Sequence, residues 1–116
     1  MTKYAQSPSL PPLVREFANH ELAIKNKSEL TVDEYVLDLT LFFRFLKMRA
    51  AERAGSPAPD FEKIDISDLD IYFFQKVTLA DAYAFLSYCK SERDNDAAAR
   101  ARKTSSIRAF FRYLHV

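Results

Sequence analysis

The chain has 116 residues, 48% of them hydrophobic, and a formal net charge of +1. That length supports one domain with a modest core, while a single glycine excludes a glycine-rich phosphate loop and argues against the tight turns of a sheet. One cysteine excludes an internal disulfide and a cysteine zinc site, and no apolar run approaches the roughly 20 residues of a membrane span.

The start lacks the apolar core of a signal peptide, and the composition fits a reducing compartment. Residues 1–9 are polar and read as a flexible lead-in. Ser9-Leu10-Pro11-Pro12 then looks like a helix start, because proline is tolerated where its missing N–H has no partner to lose. Leu10, Leu13, Val14, Phe17, His20 and Ile24 continue it at helical spacing. His20 lies on or near that stripe and is expected to be partly buried and hydrogen-bonded; with only His115 besides, a metal site would lack ligands.

After a polar turn over Asn26–Leu30 comes the stretch around which the chain is organised, Thr31–Met48. Val32, Tyr35, Val36, Leu39, Phe42, Phe43 and Leu46 form one helical stripe, with Leu37, Leu41 and Phe45 beside it. More than half the cylinder is apolar, so this helix is expected between neighbours and not at an edge. Asp33, Glu34, Asp38, Thr40, Arg44 and Lys47 are assigned to the remaining polar face. Ser28 and Thr31 both offer capping hydroxyls, and Thr31-x-x-Glu34 reads as a capping box. The helix runs to about Arg53, and its basic tail of Arg44, Lys47, Arg49 and Arg53 reads as a complement to the helix dipole in preference to a phosphate contact.

The stretch 54–60 holds the lone glycine and two prolines and is a loop. Ser67 is a candidate cap for a short helix over about Asp68–Phe73; a strand over Asp70–Val77 would have no partner. Thr78-Leu79-Ala80-Asp81 is a second capping box, followed by a helix with Leu79, Ala82, Tyr83, Leu86 and Cys89 on one stripe. Cys89 on that stripe reads as a small buried hydrophobe and not a nucleophile. Asp94-Asn95-Asp96 starts the last helix, about Ala97–Leu114, in which Ile107, Phe110, Phe111 and Leu114 face inward while Arg102, Ser105, Arg108 and Arg112 project away. The expected fold is all-α, a compact bundle of four to five helices forming one domain over residues 1–116.

The near-neutral total hides a division. Asp60, Glu62, Asp65, Asp68, Asp70 and Asp81 make the middle acidic, whereas residues 97–116 carry Arg100, Arg102, Lys103, Arg108 and Arg112 and no acid. No catalytic constellation accompanies this: the carboxylates scatter on solvent faces and Ser87-Tyr88-Cys89-Lys90 has no base partner. The run Ala97–Ser106 places cations and hydroxyls on a helix kept slim by alanine, at an N-terminus whose N–H groups and dipole favour anions, which suits a DNA groove. The same run also reads as the solvated face of an ordinary bundle helix, and spacing alone leaves both readings open.

Lys27-Ser28-Glu29-Leu30-Thr31, Tyr35, Asp38-Leu39 and Phe42-Phe43-Arg44-Phe45-Leu46-Lys47, followed by Arg100-Ala101-Arg102-Lys103, Ser106-Ile107-Arg108, Phe110-Phe111 and Tyr113-Leu114, resemble the N-terminal core-binding domain of tyrosine recombinases, the phage-integrase and Xer-type enzymes. Phe17 and Ile24-Lys25 fit its first helix, so the resemblance runs from about Leu13 to the end. It implies a SAM-like bundle forming one half of a clamp around double-stranded DNA during integration and recombination, with the helices from Thr31 and near Ala97 approaching the major groove. It also implies a C-terminal catalytic domain in the full-length protein, protomer–protomer contacts on DNA, no cofactor or metal, and a cytoplasmic place at the nucleoid. The chain lacks His-x-x-Arg, and Tyr113 is a packing position by its spacing, so this piece is expected not to be an enzyme by itself. Ala99 departs from the threonine common in relatives, and the low net charge predicts feeble binding by this piece alone. The expected DNA contacts are Ser28, Thr31, Arg100, Arg102, Lys103 and Ser106, on two helix starts lying side by side. The rival expectation is a helical protein-interaction module with an unpaired apolar patch near Phe73-Phe74 or Tyr113.

Overall fold

The computed structural model describes every residue except Met1, Lys3, Ala58 and Val116. Five α-helices, and no strand among the described residues, build the chain: α1 Pro12–Ala23, α2 Glu29–Arg53, α3 Ile71–Gln75, α4 Leu79–Glu92 and α5 Ala97–Leu114, with a 3-10 turn at Phe61–Lys63 between α2 and α3. The all-helical expectation holds.

Helix α2 is the axis, in contact with α1, α4, α5 and the 3-10 turn. Its stripe of Val32, Val36, Leu39, Phe42 and Phe43 is buried. Phenylalanines from the other helices close around it: Phe43 lies 5.0 Å from Phe74 and 5.8 Å from Phe110 between ring centroids, Phe42 lies 5.1 Å from Phe85, and Phe17 lies 5.4 Å from Phe110. These tilted and edge-on pairs add about 0.5–1.5 kcal/mol each to what their burial contributes.

Local chemistry explains each boundary. Pro11 and Pro12 open α1. Helix α2 begins a turn before the Thr31–Glu34 box: the Ser28 hydroxyl accepts the Thr31 N–H at 3.1 Å, so Ser28 is the cap and Thr31 already lies inside the helix. At the other end, Gly55 takes φ +75, its N–H donates to the Glu52 carbonyl, and the Ser56 N–H donates to the Ala51 carbonyl, a left-handed closure that favours glycine. The short helix starts later than Ser67 predicts, because Asp70 caps it through the Phe73 N–H while Ser67 is held in a turn by Asp65. The stretch considered as a strand is thus mostly helix. The Thr78–Asp81 box closes in both directions, at 3.2 Å and 2.9 Å. Asp96 caps α5 through the Ala99 N–H at 2.8 Å.

Two further expectations change. Within the lead-in, Ala5 is fully buried and the Tyr4 N–H donates to Asp33 at 3.1 Å, so this part packs on α2; the same expectation for Met1 and Lys3 lies outside the described residues. Of the basic tail of α2, Arg53 lies in the last turn, where it complements the dipole as expected, while the other three serve the acidic middle. Arg44 bonds the Ile64 carbonyl and pairs with Glu62, Lys47 reaches the Asp65 carbonyl and Asp68, and Arg49 pairs with Asp81. The long connection from α2 to α3 is thereby held against α2 by charge as well as by Ile66 and Leu69, which it buries in the core.

Candidate nucleic-acid interface

Helices α2 and α5 are joined at one carboxylate. Asp38 is 1% exposed, and three residues of α5 converge on it. Arg102 donates from Nε at 3.2 Å to one carboxylate oxygen and from Nη2 at 2.9 Å to the other. Ser106 donates its hydroxyl at 2.7 Å, and Lys103 Nζ lies 3.8 Å away. Ser106 lies one turn beyond both Arg102 (i+4) and Lys103 (i+3), so it stands between the two neighbouring cations, and one acceptor opposite it collects all three. A carboxylate taken out of water survives only when paired and hydrogen-bonded, and this one is both. The pairing holds the Arg102 guanidinium above its ordinary range, chiefly through the Asp38 hydrogen bonds, against a smaller opposing effect of burial.

The predicted contacts therefore divide. Lys103 and Ser106 are 4% and 0% exposed and face the interior, so their side chains support the α2–α5 junction from behind. Arg102 keeps a side chain 46% exposed. Arg100 turns back to donate to the Asn95 carbonyl at 2.7 Å, bracing the turn before α5. Ser28 is exposed, and its hydroxyl donates to that of the half-buried Thr31 at 2.9 Å. The helices are tied deeper than their first turns: Asp38 lies about 14 Å along α2 from its start, because that is where α5 crosses.

Spacing assigned Asp38 to the polar face, and its role was missed. A signal was present: Asp38 stands between Leu37 and Leu39, three residues from Tyr35 and four from Phe42. A second group was only partly anticipated. Lys25 and Lys27 in the α1–α2 turn and Arg112 on α5 line a groove of about 560 Å³, walled by His20, Tyr35 and Tyr113, with Glu21 at its base. Glu21 is buried and 3.2 Å from His20 Nδ1, so His20 is partly buried and hydrogen-bonded as expected. Among the described residues, Arg108 and Arg112 make no ion pair, and both are exposed. The free positive charge of α5 thus lies further along it than the sequence reading placed it.

Of the residues expected to mark an unpaired apolar patch, Phe74 is buried, and Phe73 and Tyr113 pack on the core. The large hydrophobic side chains that are exposed are Tyr72, beside Phe73, Leu79 and Tyr83 on α4, Leu30 and Leu37 on α2, and Ile24 just past α1. Cys89 is buried, and burial pushes its thiol up, away from nucleophilic chemistry. No group of metal-ligating side chains occurs among the described residues, and no helix there is long and apolar enough to cross a membrane.

No family model and no solved structure matches the chain. Named relatives do. A protein of Caldanaerobacter subterraneus subsp. tengcongensis named tyrosine recombinase XerC is 46% identical over 107 residues, covering 90% of this chain and 29% of its own length. Proteins of the same name from two strains of Leptospira interrogans are 27% identical over 108 residues, covering 93% of this chain and 28% of their own. The chain spans less than a third of the curated relatives it matches.

Proposed function

We propose that this segment of the Xer-type tyrosine recombinase family, to which the chain belongs by its similarity over 90% of its length, is the DNA-gripping part of a site-specific recombinase. In this reading it closes on one side of a duplex during integration and recombination. The strand-cutting chemistry belongs to the remainder of the full-length protein, and further protomers sit beside it on the DNA in the cytoplasm.

The observation that carries the reading is the charge on α5. Its sequence contains no acid, the acidic middle is engaged by the tail of α2 and by helix caps, and Arg108 and Arg112 remain exposed. Cations in that state attract phosphates and position a helix without reading sequence. Lys27, next to the Ser28 cap, extends the cationic line to the start of α2. Arg102, with Arg100, Ser28 and Thr31, forms the part directed at the groove, and Lys103 and Ser106 act behind it.

The test is the salt dependence of duplex binding, read by fluorescence anisotropy. Arg108→Ala and Arg112→Ala should each weaken binding of every duplex and flatten the log–log salt slope by ~1. Unchanged affinity and slope in both would remove α5 from the interface. The rival docking reading has Leu79 and Tyr83, four residues apart on α4, in its favour; it predicts no duplex binding even at low salt.

A further inference from the structure

We infer that Asp38 is a positioning residue for DNA recognition: it grips one edge of the Arg102 guanidinium, so that the remaining edge is offered outward in a single orientation to a pair of acceptors on the duplex. The inference rests on the DNA-binding reading above.

Arginine carries five N–H donors in a rigid plane. Asp38 takes the side edge, Nε and Nη2. What remains is the end edge, with Nη1 and the second hydrogen of Nη2 pointing in parallel from a side chain nearly half exposed. Two parallel donors match two adjacent acceptors. On DNA these are guanine O6 and N7 in the major groove, or two oxygens of one phosphate.

The surroundings of Asp38 fit this role better than simple charge compensation. One cation suffices to balance one buried carboxylate. Here Lys103, 5% exposed along its side chain, already lies behind Asp38, and Ser106 donates to it as well. Arg102 is the outermost of the three and has the only side chain reaching solvent, so removing its charge is not what the junction most feels. An arginine free to rotate gives up rotamer entropy when it is fixed on a ligand; one already clamped gives up less. Since the clamp is on α2 and the arginine on α5, the outward edge also reports how the two helices are set against each other.

The experiment compares this chain with Asp38→Asn, Arg102→Lys and the double variant, each shown folded by circular dichroism. The ligand is a randomised duplex pool, followed by the sequences that the unaltered chain enriches from it. Charge alone predicts that Asp38→Asn binds more tightly, since it removes a negative charge and frees Arg102. Positioning predicts weaker binding of the enriched duplexes, by roughly tenfold, for Asp38→Asn and for Arg102→Lys, which keeps the charge without the fork. The two losses should not add in the double variant, because both remove one clamped edge. If the acceptors are on guanine, Arg102→Lys loses preference for guanine-containing duplexes; if they are on phosphate, it weakens all duplexes equally. Tighter binding by Asp38→Asn, or wild-type affinity and preference in Arg102→Lys, overturns the inference while leaving DNA binding intact. If Asp38→Asn does not fold, Arg102→Lys decides alone. No binding by the unaltered chain at low salt removes the DNA reading and the inference with it.

Discussion

Asp38 and Asp81 are both paired carboxylates, yet they answer to different variables. Asp38 is walled in, so truncation leaves Lys103 buried beside no counter-charge. Asp38→Ala should cost about 3–5 kcal/mol in urea unfolding, whereas Ser106→Ala, which removes one of several donors, should cost about 1 kcal/mol. Equal losses would mean that the hydroxyl, and not the ion pair, holds the junction. At Asp81 burial pushes the carboxyl up, but the Thr78 N–H, the Thr78 hydroxyl and Arg49 pull it further down, leaving it below its ordinary 3.8. A depressed folded value means stability that is present above 3.8 and is lost as pH falls through the lower folded value. Acid unfolding of Asp81→Asn should therefore fall off less steeply below that pH than that of the unaltered chain; parallel curves would show that Asp81 contributes nothing to it. The sequence displayed the Thr78–Asp81 box openly because it is local. It concealed the Asp38 cluster because the partners lie 64 or more residues away, and a polar residue inside a stripe is ordinarily assigned outward.

At the level of elements, boundaries were legible wherever a cap is made within four residues. Pro11-Pro12, Ser28, Gly55, Thr78 and Asp96 each mark an end that the structure keeps. The ambiguous stretch was 60–76, where Asp60, Asp65 and Asp70 each accept from an N–H two or three residues on, so that three local caps offer three possible helix starts and only the one at Asp70 opens an α-helix. Gly55 tests the backbone logic most cleanly. A Cβ there would meet nothing within 4 Å, so any cost comes from φ +75 alone. Gly55→Ala should destabilise by about 1 kcal/mol, read as a lower urea midpoint at constant m; no change would mean that the left-handed closure of α2 carries no strain. Thr78→Ala should cost a similar amount, about 1 kcal/mol, and should raise hydrogen exchange in the first turn of α4 only.

Across the whole molecule, the division between acidic middle and basic end acquires a physical meaning. The acids of residues 60–81 sit against the tail of α2 or cap helices, and the cations of the α1–α2 turn and of the outer face of α5 take part in none of those pairs. Sequence alone located that charge on α5 but put its working part in the first turns, because it could not know that Lys103 turns inward and that Arg112 shares a groove with Lys25 and Lys27. The most direct test of a duplex-gripping face is a chemical-shift titration of this chain with short duplex DNA at low salt. The account predicts perturbations confined to Lys27–Thr31 and to α5 at Arg100, Arg102, Ser105, Arg108 and Arg112, fading as salt is raised. Shifts gathered instead at Tyr72, Leu79 and Tyr83, or none at any salt, would contradict it.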